Sequence, residues 1–221
     1  MTSEALTEIY ELLYEAFGPQ QWWPGETPFE VIIGAILTQN TSWTNVEKAI
    51  GSLKSAGCLS AEAIHNITLS KLAGLIHPAG YYNLKAKRLK DFIDWLFENH
   101  DGDLANLEQL ATGRLREELL TVKGIGRETA DSILLYALGR PVFVVDAYTA
   151  RIAVRHGLIE PEADYEQLRE LFESNLPQDT QLFNEYHALL VRTGKEFCRP
   201  KAHCPGCPLE KLPHTLENEC A

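Results

Sequence analysis

The sequence predicts an all-α protein, and three observations predict it. Apolar residues recur at i, i+3, i+4 and i+7 along most of the chain. Helix-starting and helix-stopping residues cut that pattern into segments joined by short connections. One run, Val142–Val145, reads as extended, and no internal repeat or low-complexity stretch interrupts the series.

Taken in order, residues 4–17 place Leu6, Ile9, Tyr10, Leu13 and Phe17 at helical spacing. Gln20-Gln21-Trp22-Trp23-Pro24 breaks the pattern with adjacent tryptophans ahead of a proline, which disfavours helix in the residue before it. Thr27-Pro28-Phe29-Glu30 has the N-cap, first-turn proline and third-position acid of a capping box, and Val31–Leu37 follows as a central, largely buried helix. After the polar stretch Thr38-Gln39-Asn40-Thr41-Ser42-Trp43, a helix carrying Val46, Ala49, Ile50 and Leu53 closes at Gly57. Further helices are expected over 60–66, 69–77, 84–99, 104–111 and 113–120, with an interruption at Pro78–Asn83, and then near 147–156, 164–175 and 179–194.

Composition bounds the function. A chain of 221 residues, 45% hydrophobic, encloses one large core or two modest ones. No apolar run nears the ~20 residues of a membrane span. The segment MTSEALTEIYELLYEAFG carries acids where a secretory signal carries basic residues, so a soluble, cytoplasmic chain with no membrane partner is expected. The net charge of −11 opposes binding to a polyanion. Cations nevertheless cluster: Lys85, Lys87, Arg88 and Lys90 on one helix, Lys123 and Arg127 around a turn, and Arg192, Lys195, Arg199 and Lys201 near the C-terminus. A basic face on an acidic body is the expectation.

The stretch from Leu119 to Asp146 organises the rest. It reads as a helix end, a Gly-Ile-Gly turn, a helix with Ala130, Ile133, Leu134, Ala137 and Leu138 on one face, a C′ glycine at Gly139, the extended run and a carboxylate. With no Cβ at Gly124 and Gly126, the amides of Gly124–Arg127 can approach an anion closely at a helix start, and a phosphate fits there. A helix–helix corner that needs glycine for its backbone fits the same residues. Asp146, just ahead of Ala147–His156, has the position of a helix N-cap.

Cys198, Cys204, Cys207 and Cys220 follow as C-x5-C-x2-C-x12-C. Four thiols this close in a reducing compartment are metal ligands sooner than disulfides. An iron–sulfur centre, structural zinc that borrows His203 or His214, and a tail with incidental thiols are all compatible with the spacing. Cys58 stands alone and reads as a small buried residue.

LxxVKGIGxxTAxxIL followed by VVD resembles the helix-hairpin-helix and downstream aspartate of the endonuclease III, or HhH-GPD, superfamily of DNA glycosylases, over nearly the whole chain. The resemblance implies two helical domains: a six-helix barrel with the hairpin over 22–135, and a terminal domain from 1–21 and 136–221 with a [4Fe–4S] cluster loop over 198–220. It implies a monomer acting on damaged double-stranded DNA, and so associated with the nucleoid. Cys198, Cys204, Cys207 and Cys220 would hold the cluster, which in the family is structural and DNA-facing and does not remove bases. The last cysteine interval is longer than the family's usual one, so Cys220 is the ligand that departs from the pattern.

VVDAYTAR falls where these enzymes have their catalytic aspartate, and capping and catalysis by Asp146 can coexist. A carboxylate beside a breaking glycosidic bond stabilises oxocarbenium-like charge and orients or deprotonates a water. Bifunctional members carry a lysine in G-x-G-[RK]-K-T-A that attacks C1′ and forms a Schiff base. That position is Glu128 here. A carboxylate forms no imine, which implies water as nucleophile and a monofunctional enzyme; Lys123, just before the turn, keeps a lyase open.

Base extrusion requires something to fill the vacated stack. Gln39 sits where the family has its gap-filling glutamine and Tyr81 where it has a wedge, although loop polarity and loop packing explain both equally simply. Trp22-Trp23-Pro24, LTQNTSW, AGYYN and the hairpin glutamate look most like the bacterial 3-methyladenine DNA glycosylase III subgroup. There, aromatics at the positions of Trp23 and Trp43 sandwich the base, and Pro24 adjoins them. An N3-alkylated adenine is cationic, suits aromatic faces and leaves with little protonation; ordinary core packing is the plainer role for tryptophan. Three functions follow in order of preference: a monofunctional alkylpurine glycosylase, an endonuclease III-like glycosylase and AP lyase acting on oxidised pyrimidines, and a non-catalytic DNA-binding iron–sulfur module.

Overall fold

The computed structural model describes residues 2–215, so Cys220 lies outside the described residues. Its helices fall into two compact units, Pro24–Arg140 and Met1–Trp23 with Pro141–Ala221. The described residues contain no strand.

Helix α1 spans Thr2–Phe17 and belongs to the terminal unit. Within Pro24–Arg140 the axis is α2 (Pro28–Leu37). Thr27 Oγ1 accepts from the Glu30 amide at 3.2 Å and Pro28 occupies the first turn. The Glu30 side chain, expected to close a capping box, pairs instead with Lys54 Nζ at 2.9 Å. Every residue from Glu30 to Leu37 is buried, and each buried Ile, Leu or Val contributes about 1.5–3 kcal/mol.

Helices α3 (Trp43–Ser55) and α6 (Tyr82–His100) pack on α2, while α4 (Ala61–Asn66) and α5 (Leu69–Leu75) pack on α6. The expected interruption is a 3-10 turn at His77–Ala79 followed by Gly80 and Tyr81 with φ of 66° and 45°. Only α7 (Ala105–Glu108) forms within the expected 104–111 helix. Arg140 Nη2 takes the carbonyls of Glu108 at 2.6 Å and Leu110 at 3.2 Å, drawing them out of a helical ladder.

Helices α8 (Thr112–Thr121) and α9 (Arg127–Ser132) are clamped by Arg116, whose Nε and Nη2 donate to the fully buried Asp131 at 2.6 and 3.0 Å. The amphipathic helix expected beyond them widens into a π-helical segment, Ile133–Ala137. Leu138 N donates to Ile133 O at 3.2 Å, and Gly139 ends the segment at φ 61°. The wider turn buries Ile133, Leu134 and Leu135 in succession and leaves Ala137 and Leu138 half-buried.

In the other unit α1 packs on α11 (Tyr165–Asn175) and α12 (Thr180–Glu196), and α10 (Ala147–Arg155) packs on α12. Phe143 stacks on Phe172 at 4.0 Å between ring centroids, with Phe183 and Tyr186 edge-on to it. The Tyr186 hydroxyl donates to Leu6 O at 2.8 Å, tying α12 to α1. The extended run is buried but pairs with no strand: Phe143 N donates to Glu173 Oε1 at 2.8 Å. The complete capping box of the chain's described part is at Asp164 and Gln167, at the start of α11.

Candidate functional site

Asp146 is the N-cap of α10. Its Oδ1 accepts from Tyr148 N at 2.9 Å, Thr149 N at 2.8 Å and Thr149 Oγ1 at 3.0 Å. Oδ2 lies 3.7 Å from His187 Nε2 on α12. Burial alone would raise this carboxyl's pKa. The His187 side chain and the hydrogen bonds from Thr149 outweigh burial and hold it below the ordinary carboxylate value. Asp146 is therefore an anion at neutral pH with one oxygen engaged by the helix and the other facing His187.

The hairpin turn between α8 and α9 separates the two glycines. Gly124 has φ 89°, and a Cβ there would meet the Arg88 side chain at 2.5 Å, so glycine is required twice over. Gly126 has extended backbone and open space where a Cβ would stand. It caps α9 without a side chain. Ile125 plugs inward at 4% exposure, whereas Lys123, Arg127 and Glu128 are exposed.

Gln39 is tied to this turn. Its Nε2 donates to Gly124 O at 3.0 Å and Thr129 Oγ1 at 2.9 Å, and its Oε1 accepts from Arg88 Nη1. Tyr81 is 72% exposed on its loop. Lys85 does not belong to a basic face: it is buried, and its Nζ donates to Leu37 O and Ala79 O, each at 2.8 Å. Burial and the nearby Arg88 lower its pKa. Arg192 is likewise committed locally, pairing with Glu196 at 2.9 Å and lying over the Phe17 ring.

Trp22 and Trp23 are half-buried and edge-on to one another at 5.7 Å, with Lys195 Nζ 5.9 Å from the Trp22 ring. Trp23 and Asp146 fall in the terminal unit, Pro24 and Trp43 in the other. Pro24 is exposed, and Trp43 is the half-buried first residue of α3.

Cys198, Cys204 and Cys207 line one pocket with Ile152, Phe197 and Leu209. Arg155, 5% exposed, donates to Cys198 Sγ at 3.2 Å and to the carbonyls of Arg199 and Pro200 at 2.7 and 2.9 Å, while Arg151 donates to Cys198 O at 2.7 Å. Burial pushes the Cys207 thiol up, the Leu209 amide offsets part of this, and Cys198, Cys204 and Glu210 push it further. His203 and His214 line the same pocket. Among the described residues no three His, Cys, Asp or Glu side chains form a group able to hold a metal ion. Cys58 is half-exposed rather than buried, because its turn after α3 lies at the surface, and its thiol donates to Ala56 O at 3.3 Å.

Sequence reasoning missed His187 and Arg155. His187 sits between Tyr186 and Ala188 in an apolar helix and carries no motif. Arg151 and Arg155 are spaced i, i+4 on the helix after the aspartate, a pattern that pointed to a shared face but not to the cysteines.

Residues 33–178 match the sequence model of the HhH-GPD superfamily of base excision DNA repair proteins. The chain is 51% identical over 214 residues to the Methanocaldococcus jannaschii protein named "Putative DNA repair glycosylase MJ1434", covering 95% of this chain and 96% of that one. Its fold resembles the crystal structure of Helicobacter pylori 3-methyladenine DNA glycosylase bound to 1,N6-ethenoadenine, with a TM-score of 0.75, 34% identity and coverage of 88% and 97% of the two chains. It also resembles that of a non-covalent endonuclease III–DNA complex, with a TM-score of 0.81, 21% identity and coverage of 96% and 95%. The chain belongs to the HhH-GPD superfamily of base excision repair DNA glycosylases, with the all-α architecture of that family.

Proposed function

We propose that this protein is a monofunctional glycosylase that removes alkylated purines of the 3-methyladenine type from double-stranded DNA. The observation that carries the reading is the state of Asp146: a shielded carboxylate kept anionic by its neighbours, in a chain whose hairpin has Glu128 where a Schiff-base lysine would stand. As the glycosidic bond lengthens, the sugar gains oxocarbenium-like positive charge, which a fixed anion stabilises. The glycosidic electron pair leaves with the already cationic base, which departs as a neutral molecule, while water bonds to C1′ and gives up its proton to Asp146. Glu128 supplies no amine, so the strand stays intact.

In this reading Trp23, Pro24 and Trp43 form the base pocket and hold the cationic base by stacking and cation–π attraction. Similarity to the H. pylori enzyme, whose structure holds an ethenoadenine, supports that assignment. Lys123, Gly124, Ile125, Gly126 and Arg127 grip the strand. Gln39 fills the gap, exchanging its contacts with Arg88, Gly124 and Thr129 for base edges, and exposed Tyr81 wedges the stack. Cys198, Cys204 and Cys207, with Cys220, would hold a [4Fe–4S] cluster, which supplies structural support to the DNA-facing loop. Iron and sulfide analysis of anaerobically purified protein returning both supports this; zinc alone would replace it.

The test of function is direct. Alkylated duplex and thymine-glycol duplex are each incubated with the protein, and free bases and nicked strands are measured. Free 3-methyladenine with unnicked strands is expected. Nicked thymine-glycol strands would favour an endonuclease III-like lyase, and no release from either would leave a binding module.

A further inference from the structure

His187 is buried at 5% exposure in the middle of α12, and the mechanism above gives it no part. Yet it faces the one carboxylate oxygen of Asp146 that α10 does not use. Oδ1 is occupied by two amides and a hydroxyl, each within 3.0 Å. Oδ2 has His187 Nε2 at 3.7 Å, beyond hydrogen-bond length but inside ion-pair range. A shift of about 0.8 Å would bring the two to an ordinary hydrogen bond.

The helices that carry these groups are held closely. A Cβ on Gly194 of α12 would meet the Tyr148 ring of α10 at 2.3 Å, so glycine is what lets α10 approach. Gly194 lies seven residues, about two helical turns, after His187 and so on the same face. That register aims the imidazole at the start of α10.

We propose that His187 is a positioning residue for Asp146, holding Oδ2 in place across the α10–α12 contact so that the carboxylate keeps one direction during base release. The inference rests on the assignment of Asp146 as the residue that acts on the sugar. The groups bearing on that carboxyl are His187, from α12, and, from α10 itself, the Tyr148 amide and the amide and hydroxyl of Thr149. With His187 gone, only the contacts from α10 oppose burial.

Two variants, His187→Phe and His187→Gln, are compared with wild type by two measurements. The first is the Asp146 carboxyl titration, followed by ¹³C NMR in protein labelled at aspartate Cγ, which needs no substrate. The midpoint is expected to rise by about one unit in His187→Phe and by less in His187→Gln, which keeps a donor but has no cationic form. The second is single-turnover release of 3-methyladenine as a function of pH. A fall of about 10-fold or more is expected for His187→Phe, with its acid limb moved to higher pH and most of the rate restored in His187→Gln. An unchanged Asp146 midpoint in both variants overturns the proposal, and His187→Gln alone decides it should His187→Phe fail to fold. If Asp146→Asn still releases base, the catalytic reading of Asp146 fails, and the titration separately reports whether His187 holds the carboxyl.

Discussion

Two helices in this protein start in opposite ways. Helix α10 caps itself: Asp146 turns one oxygen onto the amides of its first turn, and the resulting anion is shielded, ordered and faced by His187. Helix α9 starts at Gly126, which has no side chain to offer, with exposed Lys123 and Arg127 around it and open space where a Cβ would lie. One start holds a negative charge in place, and the other has no side chain capping its first turn. The difference teaches that helix starts, identical in backbone chemistry, are made closed or open by a single residue.

Breaking the α10 side should have the largest effect. Asp146→Asn keeps a good N-cap but removes the charge, so base release should drop by about 10²–10⁴-fold in single-turnover assays. The melting temperature should fall only slightly, since Asn caps about as well as Asp but lacks the charge that its neighbours hold. Asp146→Ala should lose the same activity and a further ~1 kcal/mol of stability by denaturant titration.

The α9 side sharpens the contrast through its two glycines. Gly124→Ala must adopt φ 89° and displace Arg88, so it should cost about 1–3 kcal/mol and weaken DNA binding with it. Gly126→Ala meets neither obstacle and should stay within about 0.5 kcal/mol of wild type. Its affinity for duplex DNA, measured by fluorescence anisotropy, should nevertheless fall several-fold, because the added methyl stands where a phosphate would approach. Equal affinity for Gly126→Ala and wild type would return the turn to a purely structural corner.

How much of this was legible beforehand follows the range of the interactions. Thr27 and Pro28, the extent of α10, and Gly139 are local signals, and they are borne out to within a residue or two. The short α7 was not legible, because Arg140, far along the chain, captures the carbonyls that would extend it. Lys85 reads as one cation among four on a helix, and only folding shows it spent on Leu37 and Ala79. His187 was invisible for the same reason: its meaning comes from an aspartate 41 positions earlier in the chain. Local periodicity encodes elements, whereas the pairing of polar groups across elements is set by packing.

The smallest expected effect concerns acid. Because the Asp146 pKa is lowered on folding, its ionised form contributes stability that is fully present above the ordinary value of about 4 and is lost as pH falls through the lowered one. The stability difference between wild type and Asp146→Asn should therefore narrow as pH drops below about 4, in parallel urea titrations. A difference that stays constant down to the acid transition would show that the carboxylate is not held by its neighbours.

The central claim is that a fixed carboxylate, with no lysine nucleophile, breaks the glycosidic bond. Borohydride added while the wild-type protein is releasing 3-methyladenine from a defined duplex tests it most directly. Free base with no covalent protein–DNA adduct is the predicted result; a trapped adduct that forms in step with base release would contradict it.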